Sequence, residues 1–306
     1  MTVTDGYMEN VKILDGGTGT EIKRRGYNVP SHIESIWSAQ ALIDNPDIVE
    51  DIHYDYICAG ADYIIINNYA LTQPILSRAN IEKKLEELTL LAIDVAQKAK
   101  KRSGKNVKII GSLPPLETSY RVDLILKEEL MAKYYQEISS ILKNKVDIII
   151  CETMASTVEA KTALNAALNT GTETWISWTL QGTRYNTLPS GESLEDAFNA
   201  ISSLQPEAYL VNCGGANLIT EAISTLSNLT NKTIGGYANS VFVNTNSNKT
   251  ELDLDPERSQ KKSHEIIDEE TYALEVSKWI SNGASIVGGC CSTTPQHIKL
   301  IKKLFK

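Results

Sequence analysis

A chain of 306 residues, 42% hydrophobic and 22% charged, can build a large core and is excluded from the disordered class. It carries 38 acidic and 30 basic residues, a net charge of −8, which disfavours nucleic acid because phosphate contacts need clustered Lys and Arg. No apolar run approaches the ~20 residues of a membrane helix, and MTVTDGYMENVK at the start lacks a secretory pattern, so a cytoplasmic protein with no membrane partner is expected.

Short apolar, β-branched runs recur in chain order. They are VKILDGG (11–17), ADYIIINNYA (61–70), VKIIGSL (107–113) and VDIIICETM (146–154), then TWISWTL (174–180), AYLVNC (208–213), TIGGYANS (233–240) and ASIVGGCC (284–291). Several are continuous rather than alternating, the mark of strands buried on both faces in a parallel sheet. Helical stripes lie between them, at 81–101, 193–204 and 294–305, the last with Thr294 placed to cap and Pro295 at the first helical position. The basic stretch Lys98–Arg102 falls at a helix end, where cations suit the dipole. Eight strand–helix units in this length predict an α/β fold, a (β/α)8 TIM barrel forming a single domain over residues 1–306. A doubly wound open sheet is the rival. The polar stretch at about 243–270 reads as a long loop after the seventh strand, of a length that is usually functional or disordered.

Barrel active sites form at the C-terminal ends of the strands. The runs end in Asp15-Gly16-Gly17, Asn67-Asn68, Cys151-Glu152, Asn212-Cys213-Gly214-Gly215, Asn239-Ser240 and Gly288-Gly289-Cys290-Cys291. Closure would gather Cys213, Cys290, Cys291, Asp15 and Glu152 on one face. Three thiolates can hold Zn2+ and leave a fourth position open, as catalytic zinc sites do. A vicinal disulfide at Cys290–Cys291 or a pair of apolar thiols would fit the same spacing. Side chains alternate along a strand, so the last strand has to end at Cys290 with Cys291 turned back. Cys58 and Cys151 read as packing residues. His32, His53, His264 and His297 show no ligand spacing, and GGTGTE (16–21) lacks the spacing of a phosphate loop.

With LDGGTGTEIKRRG (14–26), IWSAQALIDNPDIVEDIHYDYICAGADYI (36–64), GSLPP (111–115), CET (151–153), VNCGG (211–215), YANS (237–240) and GGCCSTTPQHI (288–298), the chain resembles the homocysteine S-methyltransferases. These are zinc-dependent homocysteine-binding barrels. The resemblance implies Cys213, Cys290 and Cys291 as zinc ligands and Asp15 and Glu152 as the grip on the substrate α-amino group. Amides near Gly16 and Gly17, with Ser38, Asn67 and Asn239, would complete the homocysteine pocket. GSLPPLETSYR (111–121) departs from the Gly-rich form of many relatives and would shape the methyl-donor side.

The chemistry fits those residue types. A free thiol is mostly protonated at neutral pH, and zinc deprotonates a thiol that coordinates it. By formal count three protein thiolates make the site −1, and homocysteine thiolate makes it −2, so the substrate sulfur stays electron-rich. No general base is then needed, and no catalytic side chain is expected beyond the zinc-activated substrate thiolate. A sulfonium donor cancels charge in the transition state. Folate and betaine donors go with further domains or an extension, and little follows the eighth helix. S-methylmethionine is therefore expected first and S-adenosylmethionine second. Two readings from other classes stand beside this one: a non-catalytic barrel that binds zinc or an amino acid, and a thiol redox protein using Cys290–Cys291. The oligomeric state is not legible.

Overall fold

The computed structural model describes residues 10–180, 184–245 and 264–304. Eight parallel strands form one sheet: β1 (Lys12–Ile13), β2 (Tyr63–Ile65), β3 (Lys108–Leu113), β4 (Ile148–Met154), β5 (Glu173–Trp178), β6 (Ala208–Gly215), β7 (Thr233–Asn239) and, last in the chain, β10 (Ile286–Gly289). Their spatial order is β1-β10-β7-β6-β5-β4-β3-β2, and a single bridge, Leu14 to Tyr63, brings β1 back to β2. The (β/α)8 barrel is thus closed, and the open sheet is excluded.

Alternation along the buried strands builds two apolar layers. Leu14, Ile110, Ile148, Ile150, Trp175, Leu210 and Ile286 fill the barrel interior. Ile109, Ile149, Cys151, Ile176, Tyr209, Val211 and Val287 face outward, where the helices cover them. Those helices are α1 (Thr18–Arg24), α2 (Ala39–Asp44), α3 (Pro46–Ala59), α4 (Gln73–Ser77), α5 (Leu85–Ser103), α6 (Glu128–Leu142), α7 (Thr157–Leu168), α8 (Leu194–Ile201), α9 (Ala216–Leu229), α10 (Glu269–Ser281) and α11 (Pro295–Leu304). As expected, α11 starts at Pro295, and the Thr294 N–H donates to Nδ1 of His297 at 3.2 Å. No helix among the described residues is long and apolar enough to cross a membrane.

Two expectations are corrected. Cys58 is exposed, not packed: α3 buries Ile48, Val49, Ile52, His53, Tyr56 and Ile57, and Cys58 lies just past that stripe. The polar stretch 243–270 is not loop throughout. Its flanks form β8 (Val241–Val243) and β9 (His264–Ile266), paired antiparallel, and α10 begins at Glu269. Residues 246–263 of the expected loop lie outside the described residues.

Candidate active site at the strand ends

A cavity of about 640 Å3 opens at the C-terminal mouth of the barrel. Asp15, Gly16, Gly17, Ser38, Asn67, Glu152, Cys213, Cys290 and Cys291 all line it. Of the expected site residues, only Asn239 does not. It stands behind the cysteines, its Oδ1 accepting from Cys291 N at 3.0 Å and its Nδ2 donating to the Cys213 carbonyl at 3.1 Å.

Backbone geometry delivers the three thiols. On β6, Leu210 faces inward, so strict alternation would turn Cys213 outward. The register instead breaks between Asn212 and Gly215, and Cys213 adopts φ 57°, a left-handed value that non-glycine residues rarely take. That kink puts its thiol on the cavity wall. On β10 the ladder runs to Cys290, whose N–H donates to the Ala238 carbonyl at 2.7 Å, and the chain then turns back through Cys291. Gly17 allows the close approach: a β-carbon there would lie 2.4 Å from the Cys290 carbonyl oxygen. Thr293 clasps the same contact, accepting from Gly17 N at 3.2 Å and donating to the Cys290 carbonyl at 2.7 Å.

The three sulfurs lie within 4.8 Å of one another, with Cys213 Sγ and Cys291 Sγ 4.0 Å apart. A tetrahedral centre with bonds near ~2.3 Å sets its sulfurs about 3.8 Å apart, so the trio fits a zinc-sized ion. Hydrogen bonds from Cys213 and Cys290 hold Cys291 well below the ordinary thiol range, and the contacts with Cys213 and Cys291 raise Cys290.

The carboxylates form the other half of the site. Glu152 follows Ile148 and Ile150 on the inward side of β4, accepting from Ser112 Oγ at 2.6 Å and from the Tyr237 hydroxyl at 3.0 Å. Burial pushes it up to about 7. Asp15 Oδ2 accepts from Ile65 N at 3.0 Å, and burial holds this group well above the usual carboxylate range too. Neither forms an ion pair with a described cation. Two acids buried in this way favour a cationic group that would share their pocket.

Asn212 couples the two halves. Thr153, next to Glu152, is also left-handed, at φ 59°. The fully buried Asn212 side chain accepts from Thr153 N at 2.9 Å and Ser177 Oγ at 2.7 Å, and donates to Thr153 Oγ1 at 2.8 Å. The left-handed turns of β4 and β6 are thereby tied together. Asn67 Nδ2 donates to the Ser38 carbonyl at 3.1 Å, holding β2 against the start of α2. Sequence reasoning missed Asn212, Tyr237, Ser112, Thr293 and Tyr120. Alternation alone places Ser112, Asn212 and Tyr237 inward beside chosen residues, but Tyr120 and Thr293 lie in turns and carry no periodic signal.

The family model for homocysteine S-methyltransferase matches residues 12–305. The chain belongs to the homocysteine S-methyltransferase family. Within it, the chain is similar to the homocysteine S-methyltransferase YbgG of Bacillus subtilis (strain 168), 27% identical over 94% of this chain and 92% of that one. It is also similar to the homocysteine S-methyltransferase of Escherichia coli (strain K12), 27% identical over 96% and 95%. A selenocysteine Se-methyltransferase of Brassica oleracea var. italica is 26% identical over 95% and 88%. Among solved structures, the metallated form of the homocysteine methyltransferase MmuM from Escherichia coli superposes with a TM-score of 0.78 at 24% identity, covering 96% of each chain, which shows the shared fold.

Proposed function

We propose that this member of the homocysteine S-methyltransferase family is zinc-dependent and transfers a methyl group from a sulfonium to homocysteine, forming methionine. S-methylmethionine is the first choice of donor and S-adenosylmethionine the second. One observation carries the reading: three thiols spaced for a tetrahedral ion share a cavity with two buried carboxylates that have no described cation partner. Homocysteine carries the complement of both, a thiol at one end and an ammonium at the other.

Cys213, Cys290 and Cys291 would hold the zinc, which when bound supplies a Lewis acid that keeps the substrate sulfur ionised at neutral pH. Asp15 and Glu152 take the ammonium and gain the charge partner that burial has denied them. Glu152 and Cys213 line the same cavity, so a small amino acid could meet both halves of the site. Fixing the ammonium end orients the sulfur for in-line attack and converts an encounter into a positioned reaction. Trp37, Tyr69 and Tyr120 line the same cavity, and aromatic faces attract a sulfonium cation.

A donor panel tests this. Zinc-loaded protein and homocysteine, offered S-methylmethionine, S-adenosylmethionine, betaine and methyltetrahydrofolate in turn, should yield methionine with the first and more slowly with the second. Selenocysteine belongs in the panel as a second acceptor. Cys290→Ala should lose both zinc and turnover. Metal-loaded protein that makes no methionine with any donor would indicate a binding barrel, and thiols that titrate only after reduction would indicate a redox protein.

A further inference from the structure

Tyr120 belongs to the segment between β3 and α6 and holds a left-handed backbone, φ 67°. Its hydroxyl stands 2.8 Å from Cys213 Sγ and 2.9 Å from the Cys213 carbonyl oxygen. The neighbouring Ser119 is bonded to the Tyr69 hydroxyl at 2.7 Å, which fixes this part of the segment on the cavity wall. A phenol has one proton to give. The carbonyl already accepts from Asn239 Nδ2 at 3.1 Å. Once Cys213 is ionised as a ligand, its sulfur is the charged acceptor and takes the stronger bond. Among the described residues, no hydroxyl bonds the sulfur of Cys290 or Cys291.

We propose that Tyr120 is a positioning residue that keeps the methyl group off the Cys213 sulfur. The proposal rests on the reading above, in which the cysteines hold zinc beside homocysteine. That arrangement crowds four anionic sulfurs around one methyl donor, and three of them must stay unmethylated. A hydrogen bond to Cys213 draws electron density from its sulfur and lowers its nucleophilicity relative to the substrate's. In the misdirected reaction, the donor's carbon–sulfur bond breaks with its electron pair left on the donor sulfur, and a carbon–sulfur bond forms at Cys213. Nothing is oxidised or reduced. The product is a neutral thioether that can no longer serve as an anionic ligand, so each such event would disable the site.

The test is site-resolved alkylation. Zinc-loaded wild type and Tyr120→Phe, with zinc content measured first, are treated with methyl iodide in the absence of homocysteine. Methylation at Cys213, Cys290 and Cys291 is followed by peptide mass spectrometry. The variant should methylate Cys213 about fivefold faster, the factor one lost hydrogen bond represents, with the other two cysteines changed by less than about twofold. The cobalt-loaded variant should also shift its thiolate-to-metal charge-transfer band to longer wavelength, a change that loosened packing alone would not give. An unchanged Cys213 rate, or an equal rise at all three cysteines, would overturn the proposal. Wild type that takes up no zinc would refute the metal reading itself, and the inference with it.

Discussion

Replacing Asn212 by Ala should damage both ends of the site at once. The substitution removes three buried hydrogen bonds, one accepted from Thr153 N, one donated to Thr153 Oγ1 and one accepted from Ser177 Oγ. At about 1 kcal/mol each the loss is about 3 kcal/mol, and the Thr153 N–H is left buried without its partner. For 306 residues at about 2.1 cal/mol/K per residue, that lowers Tm by about 5 °C. The functional loss should be larger than this shift suggests. Thr153 and Cys213 sit in left-handed conformations that cost of order 1 kcal/mol each and persist because Asn212 holds them. Freed, the two turns relax toward extended backbone and swing Glu152 and Cys213 off the cavity wall. Zinc affinity, read by competition with a chromophoric chelator, and the KM for homocysteine should each worsen about tenfold, the effect of about 1.4 kcal/mol. A variant that melts lower yet keeps both constants would refute the coupling.

The other predictions concern charge and contact. Methionine, which has the ammonium but no ionisable thiol, should bind about tenfold more tightly at pH 8 than at pH 6, because Glu152 rises to about 7 in the free protein and must lose its proton to take the ammonium; calorimetry should find this slope flattened in Glu152→Gln. Glu159, buried beneath the segment that carries Tyr120, is likewise raised to about 7 by burial, so the folded state holds a proton that the unfolded state has released. Stability should therefore fall as pH rises from about 4.5 through 7, by up to about 3 kcal/mol from this group, and urea titrations of Glu159→Gln should lack that share of the fall. Gly17→Ala should weaken zinc binding while leaving the rest of the barrel folded, since its new β-carbon would push back the Cys290 carbonyl from 2.4 Å; unchanged zinc affinity would show that β1 does not position the cysteine turn.

The barrel was legible because its strands are buried on both faces and therefore read as unbroken apolar runs. All eight runs contain a strand. Their ends were less legible, since pairing and not composition decides where a ladder stops: the seven-residue run at 11–17 yields only Lys12–Ile13 as strand. Glu152 and Cys290 could be placed by alternation. Cys213 could not, because its inward direction comes from a left-handed backbone that only the flanking Gly214-Gly215 hints at. The same limit hid Tyr120, whose contact with Cys213 spans 93 residues. Cys58 was misjudged by one position on its helix, whereas His53 falls on the buried stripe, where burial lowers it to about 4 and leaves the ring neutral.

The closing contact of the barrel has a consequence of its own. Between β1 and β2 the ordinary ladder is thin, and side chains help to sew the seam: Asp62 Oδ2 accepts from Ile13 N at 2.9 Å, and Asp15 Oδ2 from Ile65 N at 3.0 Å. One of those stitches is the same carboxylate proposed to take the substrate ammonium. Occupancy of the pocket and tightness of the hoop are thus not independent. A guest that fixes the charge on Asp15 strengthens the stitch to Ile65, so the amide of Ile65 should exchange with solvent more slowly when the pocket is filled. The barrel would register its cargo along its thinnest edge.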